Sequence, residues 1–306
     1  MLAPAIDSYL AIRRSACFGL RVAEGFLRNY ACFATARGET HVRERTALEW
    51  AALAPSASQR GRRLEAIRIF ARHAQAEDTQ HEVPRQDIFP RQRLLYRPFI
   101  FTELQIRQLL KQAASLPPSD SLRPWTYCTL FSLLAVTGLR ISEALALRFD
   151  DITADGLVIR ETKFHKSRLV PLHPSAQAGL GRYLERRRQL GGGDDHIFIS
   201  MRRRGLCYSA VLETFRSLIR EIGLQPDTGR FGPRPRIHDF RHSWAVRSLE
   251  NCPPGYDYVR QHVLAVSTYL GHVKLAGTFI YLHTTPKLLS NIANQSEDFF
   301  KGGTTS

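Results

Sequence analysis

The sequence predicts a mainly α-helical protein of two folded parts with one small β-sheet. Three observations carry this. Apolar residues recur at spacings of three and four along most of the 306 residues, the mark of helices with one buried face. Only the segments GLVIRET and SRLVPLH, around residues 156–173, read as strands. A stretch near residues 78–100 holds three prolines and many charges with little periodicity, and divides the chain.

Taken in order, residues 1–77 read as helices only: Ile6 to Cys17, Leu20 to Ala36, Glu44 to Leu53 and Ser58 to Ala76. The breaks between them are polar or small, as in Ala36-Arg37-Gly38-Glu39 and Ala54-Pro55-Ser56. That is a four-helix unit of bundle size. Residues 78–100 are expected to be a basic interdomain linker, its Arg85, Arg91, Arg93 and Arg97 either solvated or lying against a polyanion. The second domain is expected over 101–285. Thr102 and Gln105 fit a capping box before a helix from Glu103 to Ser115. Helices follow at Trp125–Thr137 and Arg140–Ala146, then a hairpin whose strands flank KFHK, then helices at Ala176–Arg188, Ser209–Ile222 and from His238 onward. Arg186, Arg187 and Arg188 read as an exposed helix end, and Asp150-Asp151 as a cap or flank of the strand region. The tail, 286–306, predicts a short helix with Leu288, Leu289 and Ile292 on one side, to pack on its own domain or on another subunit.

Charge narrows the function classes. The net charge is +15, and both parts contribute: 16 Arg against 10 Asp and Glu before residue 101, 27 Lys and Arg against 18 after it. Arginines number 37 and lysines six. Basic folded surface points to a nucleic-acid partner, and arginine suits bidentate phosphate contacts. A basic enzyme without such a partner is the plain alternative. No apolar run is long enough to cross a bilayer, and the N-terminus lacks the basic start and apolar run of a secretory signal. Cys17, Cys32, Cys128, Cys207 and Cys252 include no CxxC pair and read as reduced core residues of a cytoplasmic protein, with no disulfide and no zinc site. Neither GxxxxGK[ST] nor a carboxylate triad is present, so neither metal nor cofactor is expected.

Three segments hold candidate chemistry. In TGLRISEALALRFDDI, residues 137–152, Gly138 ends one helix, Arg140 begins the next, and Glu143 lies one turn on, within reach of the guanidinium. HDFR, residues 238–241, sets His238 and Arg241 three apart, the spacing of one helix face. In STYLGHVKLAGTFIYLH, residues 267–283, Gly271 reads as a helix C-cap, His272 follows it, and Tyr281 comes nine residues later among Phe279, Ile280 and Leu282. Singly, each has a bland reading: a surface arginine, a chance HxxR (about one is expected from composition), a tyrosine in a core.

Their order along the chain changes the weighing. Arg140, a hairpin lysine, His238 with Arg241, Leu270-Gly271-His272 and Tyr281 in succession resemble the tyrosine recombinase, or phage integrase, family. The resemblance covers residues 102–286, and more loosely 1–77. It implies a SAM-like core-binding domain that clamps DNA ahead of an α+β catalytic domain. Arg140 and Arg241 match the family's phosphate-binding arginines, His238 the residue between them, His272 the later His or Trp, and Tyr281 the nucleophile. Lys163 and Lys166 both stand at the lysine position; the run to Val170-Pro171-Leu172 favours Lys163. Lys166 and Arg168 in the hairpin and Arg202, Arg203 and Arg204 ahead of the Ser209 helix are candidate DNA contacts. The bulky hairpin tip and the 34 residues between His238 and His272 depart from compact members, and the longer form resembles transposon-associated ones.

The resemblance implies site-specific cutting and rejoining of double-stranded DNA through a 3′-phosphotyrosine, by a tetramer on paired sites, with accessory recombination proteins and no membrane partner. Two rival readings share these residues: a type IB topoisomerase that only relaxes supercoils, and a DNA-binding protein of the same fold that no longer cuts. An RNA-processing enzyme is a third, without a recognition motif to support it.

Overall fold

A computed structural model describes residues 2–16, 18–86, 88–89, 98–160, 167–191, 193–224, 234–251 and 256–271, with the backbone alone given for 256–260. The chain divides into two compact units, Met1–Leu95 and Tyr96–Ser306. Among the described residues it is mainly helical with one three-stranded sheet, the fold class the pattern predicted. No helix among them is long and apolar enough to cross a membrane.

The first unit holds α1 (Leu2–Ser15), α2 (Arg21–Thr35), α3 (Glu44–Ala52) and α4 (Ala57–Glu77). Each buries the apolar stripe that its spacing set out, for instance Leu64, Ile67, Phe70, Ala71 and Ala74 on α4. Trp50 centres this core, its ring edge-on to Tyr30 and its Nε1 donating to Asn29 Oδ1 at 3.0 Å. Ser56 caps α4 by accepting from Gln59 N.

The start of the stretch read as linker belongs to this bundle. The Val42 amide donates to His81 Nδ1 at 3.0 Å, and Glu82 N donates to Val42 O at 2.9 Å. The Glu82 carboxylate accepts from Glu44 N at 2.8 Å. Arg43, at the N-cap of α3, supplies no side-chain cap. A carboxylate 38 residues on therefore satisfies an orphan donor of the first turn. Nothing local in the sequence announces that bond.

The second unit packs around α6 (Leu122–Thr137), with Leu130, Phe131 and Leu134 all fully buried. Phe240 stacks on Phe101 and Phe131 at its centre, and Phe215 meets Phe131 and Phe240 edge-on. The Thr102–Gln105 capping box starts α5 (Glu103–Ala114) as expected. After α6 come α7 (Ile141–Ala146), a 3-10 turn (Phe149–Asp151), and strands β1 (Ile152–Thr153), β2 (Gly156–Ile159) and β3 (Arg168–Val170). The sheet is antiparallel in the order β1-β2-β3, with Leu157 opposite Val170 and Ile159 opposite Arg168. Asp151 caps the 3-10 turn by accepting from Arg148 N at 2.9 Å. Helices α8 (Pro174–Gln189), α9 (Tyr208–Glu221), α10 (Asp239–Glu250) and α11 (Tyr256–Leu270) complete the unit.

Two expectations need correction. Of the arginine run at the end of α8, Arg186 and Arg188 are exposed as expected, but Arg187 is buried, over the Phe149 ring with Nη2 donating to Asp194 O. A guanidinium is flat and weakly hydrated, so it packs on rings where the pattern suggests only solvent. Cys32 and Cys207 are exposed rather than core residues, and Cys128 is half-buried; apolar neighbours in sequence do not fix which face of a helix a cysteine takes.

Candidate active site

The site begins with a helix stop. α6 ends at Gly138 in the left-handed conformation, φ 61°. A Cβ there would meet the Trp244 ring at 3.1 Å, so glycine is required by backbone and neighbour alike. The turn places Arg140 at the N-cap of α7. Glu143 accepts from Arg140 N at 3.0 Å and from its Nη1 at 2.7 Å, the i,i+3 contact the spacing predicted. The Arg140 side chain stays 32% exposed, open enough to meet a ligand.

Arg241 comes from α10 and is buried, 1% exposed. Its Nη1 donates to Gly138 O at 2.9 Å and its Nη2 to Leu270 O. Arg140 Nη2 reaches the next carbonyl, Gly271 O, at 3.5 Å. Arg168 Nε donates to the one before, Tyr269 O, at 2.9 Å. Three arginines from three elements thus hold three consecutive carbonyls at the C-terminal end of α11. A helix end is where carbonyls run out of helical partners and the negative end of the dipole lies, so cations gather there for a physical reason. Gly271 closes the helix at φ 65° and lies against the Arg168 guanidinium, 3.0 Å from where a Cβ would sit.

Glu143 is the counter-charge of this cluster. Arg168 Nη1 and Nη2 grip its two oxygens at 3.1 and 2.8 Å. Burial works against its charge, but bonds from Arg168 and from Arg140 hold its pKa at about 2. His238, at the N-cap of α10, packs its ring edge-on to His242 at 4.9 Å. The residue is solvent-accessible, with the His242 ring on one side. Desolvation there, with the charges of Arg241 and Arg140, lowers its pKa, leaving a neutral imidazole able to accept a proton. Tyr269 stacks on Trp244 at 4.5 Å, and burial pushes its phenol up to about 12, which makes it a poor phenolate despite its nearness to the arginines.

The structure therefore brings Arg140, Arg241 and His238 to one place beside Glu143. Lys163, Lys166, His272 and Tyr281 lie outside the described residues, as does the tail helix; His272 is the residue after Gly271. Arg202, Arg203 and Arg204 sit on an exposed turn before α9, closed by Arg203 N to Ser200 O and Ser200 N to Arg204 O. Arg168, suggested by sequence as a DNA contact, is instead held inward by Glu143 and Tyr269, with a side chain only 13% exposed. Strand parity could have shown this: Val170 is buried, and residue 168 shares its face.

Chemically, a permanently charged pair of guanidiniums with a neutral imidazole beside them is an anion site. It suits a group whose negative charge grows during reaction. Among the described residues, His41 with Asp78 and His81, and Asp194 with Asp195 and His196, are close enough to share a metal ion. Their groups are already engaged: His81 Nδ1 accepts from Val42 N, and Asp194 accepts from His196 and from Gly205 N.

Comparisons with known proteins place these features in a family. A model described as the phage integrase family matches residues 100–287. An integrase/recombinase of Sinorhizobium fredii, y4rB, is 37% identical over 304 residues, which are 96% of each chain. Among solved structures, the Tn1549 transposon integrase in complex with transposon right end DNA overlays at a TM-score of 0.68, with 14% identity over 97% of this chain and 98% of that one. A lambda integrase tetramer bound to a Holliday junction overlays at 0.57, with 20% identity over 89% and 77%.

Proposed function

Because this chain belongs to the phage integrase family of tyrosine recombinases, we propose that its arginine cluster binds one scissile DNA phosphate and that Tyr281 breaks the strand there. The enzyme is a site-specific recombinase, and its full-length likeness to an integrase/recombinase disfavours supercoil relaxation alone. One observation carries the assignment of the site. Arg140 and Arg241, 101 positions apart in sequence, both donate to the end of α11, on successive carbonyls, with the His238 ring in their field.

Arg140 and Arg241 take the non-bridging oxygens, whose charge rises as phosphorus becomes five-coordinate. The Tyr281 oxygen attacks phosphorus, and its proton passes to His272 or His238. The bond from phosphorus to the 5′-oxygen breaks, and that oxygen takes a proton from Lys163. The product is a 3′-phosphotyrosine and a free 5′-hydroxyl. A 5′-hydroxyl of another strand then reverses the step and rejoins the DNA.

Around this chemistry we place residues 1–77, with the start of 78–100 packed on them, as the DNA-clamping domain, the rest of 78–100 as the linker, 101–285 as the catalytic domain and 286–306 as a segment for contact with a neighbouring subunit. The substrate is double-stranded DNA with specific sites, and the working form in the cytoplasm is a self-associated assembly, a tetramer on paired sites. The Tn1549 complex with transposon-end DNA and the lambda tetramer on a junction support this reading. A nicked suicide DNA substrate tests it. The wild type accumulates a covalent adduct and, on paired sites, recombinant product. Tyr281→Phe retains DNA binding and yields no adduct; an adduct from that variant refutes the nucleophile.

A further inference from the structure

We propose that Arg168 is a positioning residue for strand cleavage, fixing Arg140 through Glu143 and the end of α11 through the Tyr269 carbonyl, and that it is not a DNA contact.

The geometry supports this on four counts. Arg168 makes a two-pronged bond with Glu143, the carboxylate that also grips Arg140. Its third nitrogen, Nε, holds Tyr269 O, three residues before His272. It stands on β3 opposite Ile159, on the buried face of the sheet. Its guanidinium also lies against Gly271, the turn from which the chain departs toward Tyr281. One side chain thus ties the hairpin strand, the N-terminus of α7 and the C-terminus of α11 together. The hairpin carries the proposed acid, α7 carries one phosphate-binding arginine, and the residues after α11 carry the proposed nucleophile. A bidentate fork fixes both distance and plane, which a lone ammonium does not. Small misplacement of reacting groups lowers rates steeply.

This inference rests on the reading of the site given above, and the test separates the two. Single-turnover cleavage of the suicide substrate is measured at saturating DNA for the wild type, Arg168→Ala, Arg168→Lys and Tyr281→Phe. DNA affinity is measured across a salt series. The rate per active molecule of Arg168→Ala and of Arg168→Lys is expected to fall about 10- to 100-fold, with affinity and salt dependence close to wild type. Lysine keeps the charge and loses the fork, so it restores little. Should Arg168→Ala fail to fold, Arg168→Lys carries the same comparison.

The pH profile gives a readout that a merely stabilising residue would not move. Glu143 faces Arg140 at the start of α7 and Arg168 on β3, and its charge acts on His238. Without the Arg168 fork its carboxylate protonates more readily, so the acid limb of the cleavage rate moves to higher pH. The double variant Arg168→Gln with Glu143→Gln is expected to cleave no faster than Arg168→Gln alone and to lose the displaced acid limb, since the carboxylate that titrates there and still holds Arg140 is gone.

Weaker binding with a salt slope lower by about one, at an unchanged saturated rate, makes Arg168 a phosphate contact and overturns the proposal. An unchanged rate per active molecule with an unmoved acid limb overturns it as well. Loss of the adduct in Tyr281→Phe alongside either result leaves the site reading intact; an adduct in Tyr281→Phe overturns both.

Discussion

Two groups of three arginines stand in contrast in the second unit. Arg140, Arg168 and Arg241 converge from three separate elements on the last carbonyls of α11 and on Glu143. Arg202, Arg203 and Arg204 are consecutive and exposed on one turn. In sequence the second group is the conspicuous one. In the structure the first group has the defined directions, because each guanidinium is fixed by acceptors of known position. Guanidiniums in water attract a polyanion but do not place it, whereas guanidiniums fixed by carbonyls and a carboxylate do. The difference separates affinity from catalysis, and each half can be tested alone.

The largest expected effect comes from Arg241. Arg241→Ala removes one proposed donor to the phosphate and leaves Gly138 O and Leu270 O without that partner. Cleavage at saturating DNA is expected to fall by about 100- to 1,000-fold, the usual loss for one such donor, and the melting temperature is expected to drop as well. Cleavage kinetics with calorimetry check both. A wild-type cleavage rate in a folded Arg241→Ala protein would erase the contrast between the two groups.

A middle effect is expected from the exposed turn. Replacing Arg202, Arg203 and Arg204 together by Ala is expected to weaken DNA binding about tenfold near physiological salt. The salt slope should fall by up to about 3, one unit or slightly less per phosphate contact. The saturated cleavage rate should stay within about twofold of wild type. Anisotropy titrations over a salt series read the first two, and the suicide substrate the third. Unchanged affinity would reduce the turn to a solvated loop.

The same contrast explains what the sequence made legible. Signals that act within a few residues were readable. The Thr102–Gln105 box, the Gly138 stop and the Arg140–Glu143 contact all depend on spacing alone, and all are present. So is the hairpin pairing, since alternation fixes its inner face. What stayed hidden depends on partners far along the chain. Glu82 caps α3 across 38 residues, and the three arginines reach α11 carbonyls from 29 to 131 residues away. A backbone carbonyl has no letter in the sequence, so nothing marked Tyr269, Leu270 and Gly271 as acceptors. Arg168 was open to misreading for a related reason. A basic residue in a basic protein suggests surface, and only parity with Val170 argues otherwise. Tyr281, Lys163 and His272 lie outside the described residues, so their recognition rests on pattern and family.

The smallest expected effect sharpens the comparison through pH. Beside the fixed arginines stands His238, whose pKa is lowered by desolvation, then by Arg241 and Arg140, with Glu143 opposing and His242 in ring contact. In the unfolded chain an imidazole titrates near 6.5. A folded value below that means the unfolded state binds more protons as pH falls. The stability His238 contributes is therefore complete above about pH 6.5 and declines as pH drops toward its folded value. Urea melts at pH 7, 6 and 5 are expected to show a small decline attributable to this group. His238→Gln should remove that component. Arg140→Gln should shrink it, because one repelling charge is gone and the imidazole's pKa rises back toward its ordinary value. Arg202→Gln should leave it untouched, since Arg202 is not among the charges acting on His238. An NMR titration of the His238 ring reads the same order directly. If Arg202→Gln shifted it as much as Arg140→Gln, the fixed cluster would have no electrostatic privilege over the exposed turn, and the division between a fixed trio and an exposed trio would have to be abandoned.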